Sequence, residues 1–202
     1  MRSLALALLL AAAPMAAAPA FAAEPVAPKD VAATPAGTYQ LDASHTSVTW
    51  RVSHLGLTQY TGRFDKISGS LKIDPKAPEA SMLSIAIDPN SVSTGLPNFD
   101  KKIATDYFKG APIDFQSGKV QRTGPDTALV TGNLTFAGVT KPVTLDVKWN
   151  GGIFSKFAQG HVLGFSATGK LKRSEFGVTQ LAGAVGDEVE LLIQAEFLNK
   201  GQ

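Results

Sequence analysis

The chain has 202 residues, with 19 Lys and Arg against 17 Asp and Glu, and it contains no Cys. That near-balance provides no basic stripe for a nucleic-acid backbone, and the missing Cys excludes both a disulfide framework and thiolate zinc sites. Stability must come from a packed core, which a single domain of this length can supply.

The first residues carry a secretory pattern. Arg2 gives a positive start, Leu4 to Ala13 an apolar run, and Ala20-Phe21-Ala22 a small-residue cleavage site, the order of a signal peptide. The apolar run falls short of the ~20 residues that a membrane span needs. Residues 1–22 are therefore read as a leader, and the protein as exported to the periplasm without a Cys-linked lipid anchor. Loss of Arg2 with the leader takes the formal charge from +2 to +1. Residues 23–37 are rich in Pro and Ala without periodicity and read as a flexible segment. One domain is expected over residues 38–200.

From there the pattern has period 2. Val48, Trp50 and Val52 form the first inward set; Ile67, Leu71 and Ile73 the next; then Leu83, Ile85 and Ile87. Ile113 and Phe115 follow, and then Val130, Leu134 and Phe136. Val143 to Trp149, Leu163 to Leu171 and Val189 to Phe197 complete the series. Each run has one apolar and one wet face, the signature of antiparallel strands. Turn residues between them give about eight strands, with 127–137 and 142–150 forming a hairpin. One stretch differs. Asn98 to Phe108 places Phe99, Ile103 and Tyr107 on one face of a short helix, with Asn98 as N-cap and Gly110 as stop. An all-β fold with one apolar face per strand is either a sandwich or a closed barrel, and periodicity does not choose between them.

Few residues point to chemistry. His45 and His54 are nine apart and face opposite sides of a regular strand, so they cannot share a metal without a bulge. Asp42, Ser44 and His45 are too close in sequence for an in-line triad and fit a turn at a strand entrance. Gly183 to Glu188 lacks the Lys and following helix of a phosphate loop. Arg173 has two readings: a surface loop with an Arg173–Glu175 contact, or a rim cation for an anionic ligand head. No catalytic residue, metal or cofactor is expected. The aromatic residues are the more informative set, since a subset could line an apolar pocket.

The residues then match a family pattern. Asp42 to Leu57 reads D-x-S-H-T-x-V-x-W-x-V-S-H-L-G-L, and Gly62 to Leu71 reads G-R-F-D-K-I-S-G-S-L. Ser91 to Gly95, Asp106 to Phe108, Gly132 to Leu145, Gly164 to Gly177 and Val185 to Val189 follow in order. Together these resemble the YceI-like family over Tyr39 to Phe197. The resemblance implies an elongated, eight-stranded antiparallel lipocalin-like barrel with one short helix between strands. It further implies an apolar tunnel for an isoprenoid-tailed or similar amphipathic lipid, held for transport or storage. One segment departs: the family's Arg- and His-bearing run before its D-F-F is here Phe99 to Thr105, with Lys101 and Lys102 as the cations. A Lys pair holds a phosphate only as a point charge.

The ligand-binding residues expected from both lines are Val48, Trp50, Val52, His54, Phe115, Leu134, Phe136 and Phe165, with Tyr107 and Phe108 at the mouth. Transient membrane contact and a homodimer are further expectations. A stress-protective barrel without lipid, or a hydrolase or isomerase using His45 or His54, are the alternatives.

Overall fold

A computed structural model describes residues 26–201, so the leader read in residues 1–22 lies outside the described residues. The strands form a single antiparallel sheet that closes on itself as eight staves. β1 (Gly37–Leu41) and β2 (Ser47–His54) run end to end as the first stave. β3 (Thr58–Phe64) and β4 (Ile67–Ile73) make the second, and β5 (Met82–Ile87) and β6 (Val92–Ser93) the third. The other five are β7 (Ile113–Arg122), β8 (Thr127–Phe136), β9 (Val139–Ser155), β10 (Gly160–Lys172) and β11 (Val185–Asn199). Each stave pairs with the next in chain order, and β11 closes the ring against both β1 and β2. The expected eight-stranded antiparallel barrel with one short helix is therefore what the chain forms. β9 alone, with 17 residues, extends over roughly 50 Å, which makes the barrel elongated.

The breaks between half-staves are stitched by side chains. Between β3 and β4, the Lys66 N–H donates to Ser91 Oγ at 3.0 Å, and the Ser91 hydroxyl donates onward to the Asp88 carbonyl at 2.7 Å. Between β1 and β2, the Asp42 N–H donates to the Glu196 carbonyl at 2.8 Å and the Glu196 N–H to Thr46 Oγ1 at 3.2 Å. The β8–β9 hairpin turns on Ala137 and Gly138 alone, with φ of +50° and +81°. Positive φ at both central positions suits the strand twist, so the predicted hairpin forms with a tighter turn than the expected strands 127–137 and 142–150 leave.

The helix differs in detail from the expectation. α1 spans Pro97–Lys102 and continues as one π-turn over Ile103–Tyr107, closed by the Phe108 N–H on the Ile103 carbonyl at 2.9 Å. Leu96, not Asn98, stands at the N-cap. Pro97 takes the first helical position, where its fixed φ and missing N–H cost nothing. The first turn is instead tied down by Asp100, which accepts from the Thr94 N–H at 2.8 Å and the Thr94 hydroxyl at 2.6 Å.

Chain order assigns the connections to two ends of the barrel. The helix end carries the β2–β3 turn, α1, the β8–β9 turn and the β10–β11 connection. The other end carries the remaining turns and residues 26–36, which lie across it as a strap. The sequence offered this segment no partner, and the structure gives it several. Asp30 caps a 3-10 turn (Val31–Ala33), and Val31 packs on the core cluster of Tyr39, Leu163 and Phe197. The Lys29 carbonyl accepts from Trp149 Nε1 at 3.0 Å, the Pro28 carbonyl accepts from the Gly152 N–H at 3.0 Å, and Lys29 Nζ meets Asp126 Oδ2 at 2.9 Å. Among these, the indole bond is the one made by a buried side chain. Trp149→Phe is expected to free the strap, so that trypsin cleaves after Lys29 about fivefold faster than in the parent, as the loss of one hydrogen bond implies. Unchanged cleavage would show that the strap is held without the indole.

Candidate functional site

The inward faces enclose an apolar tunnel of about 800 Å³ running from the strap to the helix. It exists because side chains alternate on a strand: the inward set of every stave is the apolar one, and the ring is too wide for those side chains to meet at the axis. Glycines widen it further. A Cβ on Gly62 would lie 2.2 Å from the Trp50 ring, and one on Gly132 would lie 2.5 Å from the Phe115 ring. With hydrogen at both positions, two large aromatics lie flat against the wall and leave the middle open.

The structure brings together all ten residues singled out above. Val48, Trp50, Val52 and His54 come from β2, Phe115 from β7, Leu134 and Phe136 from β8, and Phe165 from β10. Tyr107 and Phe108 come from the helical segment, which covers its end of the tunnel. Phe108 stacks edge-on to Phe136 at 5.0 Å and Phe136 to Phe176 at 5.6 Å, so one aromatic row joins helix, β8 and the β10–β11 connection. His54 is exposed on the rim, and Phe165 lies nearer the strap, 5.1 Å from Trp149.

The lining of the tunnel extends beyond those ten residues. Tyr60 and Gln180 line its helix end, Trp149 and Val31 its strap end. Tyr60 had only Phe64 as an apolar companion, because the inward position between them is Gly62. Gln180 sits in a connection without periodicity. Trp149 did share the parity of Val143, Leu145 and Val147, and that was the available signal.

Arg173 corrects both readings offered for it. It is buried, is not bonded to Glu175, and spends four of its N–H groups on main-chain carbonyls. Its Nε donates to the Gly186 carbonyl at 2.8 Å, Nη1 to the carbonyls of Val178 at 2.9 Å and Gln180 at 2.7 Å, and Nη2 to that of Val185 at 2.9 Å. Beside it Asp187 accepts from the Ser174 N–H and hydroxyl, which hold its carboxyl below the usual range. The K-R-S-E-F-G and V-G-D-E-V stretches are thus a latch on the β10–β11 connection.

The three histidines lie apart. His161 stacks on Phe154 at 5.2 Å, beyond the strap end, and His54 stands at the opposite rim. His45 Nδ1 bonds Asp42 Oδ2 at 2.9 Å on the outer surface, and the Ser44 N–H caps the other carboxylate oxygen. With Glu196 they form a group whose ligand atoms lie within 4.8 Å of one another, exposed or half-exposed throughout. The Asp42 hydrogen bond, then its charge and that of Glu196, raise the His45 pKa above its ordinary 6.5, while the same bond lowers that of Asp42. A raised His pKa stabilises the fold below 6.5, and that contribution disappears as pH rises through the folded-state value. His45→Gln is therefore expected to remove a small decline in melting temperature with pH that begins near 6.5 in the parent. Identical profiles in thermal melts across that window would rule the pair out as its source.

The comparisons with known proteins agree with this architecture. The family model described as YceI-like domain matches residues 39–197. A UPF0312 protein of Pseudomonas aeruginosa is 35% identical over 171 residues, covering 82% of this chain and 88% of its own. The YCEI protein of Campylobacter jejuni superposes with a TM-score of 0.64 at 30% identity, over 74% of this chain and 90% of the other. A domain from Saccharophagus degradans described as polyisoprenoid-binding shares the fold, with a TM-score of 0.59 at 19% identity, over 79% of this chain and 97% of that one.

Proposed function

This chain belongs to the YceI-like family, and from that premise we propose that it is an exported binding protein that carries or stores an isoprenoid-tailed or similarly amphipathic lipid in its tunnel. The observation that carries the reading is the tunnel itself: about 800 Å³, inside the range of small-molecule sites, with walls built from the apolar faces of all eight staves. Each buried CH₂ contributes about 0.8 kcal/mol, so a tail of ten or so carbons reaches micromolar affinity without directional contacts. The description of the Saccharophagus degradans domain as polyisoprenoid-binding supports the choice of ligand class. A binding role is favoured over a hydrolase or isomerase because His45 and His161 face away from the tunnel and His54 stands at its rim with no second histidine beside it.

Export to the periplasm follows from the leader, and the mature protein should begin at Ala23. Exposed Leu55, Leu57, Leu96 and Leu181 surround the helix end, which supports transient contact with a bilayer there during loading. The test is to purify the protein from the periplasmic fraction, measure its mass, extract it with organic solvent and analyse the extract by mass spectrometry. We expect a co-purifying isoprenoid in near-stoichiometric amount. A clean extract, from protein that also fails to take up added isoprenoid, would overturn the reading.

A further inference from the structure

Among the described residues, three buried side-chain polar atoms have no hydrogen-bond partner: Trp50 Nε1, Tyr60 Oη and Gln180 Oε1. Unpaired buried groups are rare because each one costs about 1–3 kcal/mol. Here all three belong to residues that line the tunnel at its helix end. Trp50 and Tyr60 are on adjacent strands with ring centroids 6.3 Å apart, and Tyr60 stands edge-on to Phe99 of α1 at 5.9 Å. Gln180 is anchored by Nε2, which donates to the Asp106 main-chain carbonyl at 3.1 Å. A carbonyl only accepts, so the amide nitrogen must face Asp106, and the oxygen is the end left unpaired.

The chemistry of the three atoms is specific. The indole N–H only donates, the amide oxygen only accepts, and the phenol does either. Among the described residues, the cation that lines the same end is Arg173. It gives four of its bonds to main-chain carbonyls. Lys101 and Lys102 are exposed and outside the lining, and Lys102 lies 3.3 Å from Asp106. The lysine that does line the tunnel, Lys29, is at the far end and paired with Asp126.

We infer that the helix end of the tunnel is a head-group site for a neutral group that both accepts and donates a hydrogen bond, an alcohol, phenol or amide at the end of an apolar tail. This rests on the lipid-binding reading and narrows it. The site selects against a phosphorylated head, which offers Gln180 Oε1 no donor and meets an Arg173 with four of its N–H groups already given to main-chain carbonyls. It also selects against a capped head that leaves Gln180 without a donor.

The test uses delipidated mature protein and three probes with one tail: all-trans-geranylgeraniol, its methyl ether and geranylgeranyl phosphate. We expect the alcohol to bind about tenfold tighter than the ether, as one hydrogen bond implies, and the phosphate to bind weakest. Gln180→Met should bring the alcohol-to-ether ratio close to one, and Tyr60→Phe should weaken both. Ligand-free Tyr60→Phe should melt no lower than the parent, since its hydroxyl has no bond to lose. Tightest binding of the phosphate, or equal binding of all three, overturns the head-group site while the lipid reading stands. Failure of all three to bind overturns the lipid reading itself.

Discussion

Arg173→Met is expected to destabilise the fold by about 3–5 kcal/mol, the cost of breaking a buried charged hydrogen-bond network. Arg173 is 8% exposed, and its guanidinium accounts for the carbonyls of Val178, Gln180, Val185 and Gly186. Val178 and Gln180 lie in the β10–β11 connection, and Val185 and Gly186 open β11 where its register against β2 is broken before Val189. Methionine fills the space and leaves them facing an apolar side chain, so the connection must move toward water or leave four acceptors unpaired. For a domain of this size the loss corresponds to roughly 10 °C in melting temperature. Arg173→Lys should fall between, because an ammonium donates from one point and cannot span carbonyls on both sides of the loop. Urea unfolding with an unchanged slope would assign the effect to the native state. A loss under about 1 kcal/mol would mean that the connection is held by something other than Arg173.

That residue also shows where sequence reasoning reached its limit. The staves were legible because burial on one face writes itself as period 2, and the runs around Val48, Val143 and Val189 state it plainly. Closure was not legible, since it depends on β1 meeting β11 (Gln40 opposite Leu198, Leu41 opposite Phe197), and pattern alone does not register contacts between distant segments. The tunnel wall followed from the strands, so the aromatic set from Trp50 to Phe165 could be picked out by parity. β3 could not, because Gly62 occupies the inward position that an apolar residue would have marked. Arg173 was misplaced for a related reason: a charged side chain in a loop is read as solvated, and its burial depends on carbonyls whose directions no composition reveals. Pro and Ala carry no period, so the strap shows no partner in the sequence, and two of its ties are main-chain carbonyls, for which side-chain identity gives no signal.

Phe136→Glu is expected to weaken lipid uptake by more than about a hundredfold at pH 8, several kcal/mol of desolvation that the ligand itself must supply. In the ligand-free protein a carboxylate at this position can be hydrated, since the tunnel holds about 800 Å³. A lipid tail displaces that water, and the charge must then either remain in an apolar wall or take up a proton. The second route gives the diagnostic: binding should recover as pH falls, while the parent shows no such dependence. Phe136→Leu, which keeps the wall apolar, should stay within a few-fold of the parent. The row Phe108–Phe136–Phe176 also packs the helix against β8, so the substitution costs stability as well as binding. Leu134→Glu puts the same charge in the same tunnel one pleat away, outside that row, and should reproduce the pH-dependent loss with less effect on melting. A folded variant of either kind that binds lipid as the parent does at pH 8 would place the ligand outside the barrel, and every assignment built on the tunnel would go with it.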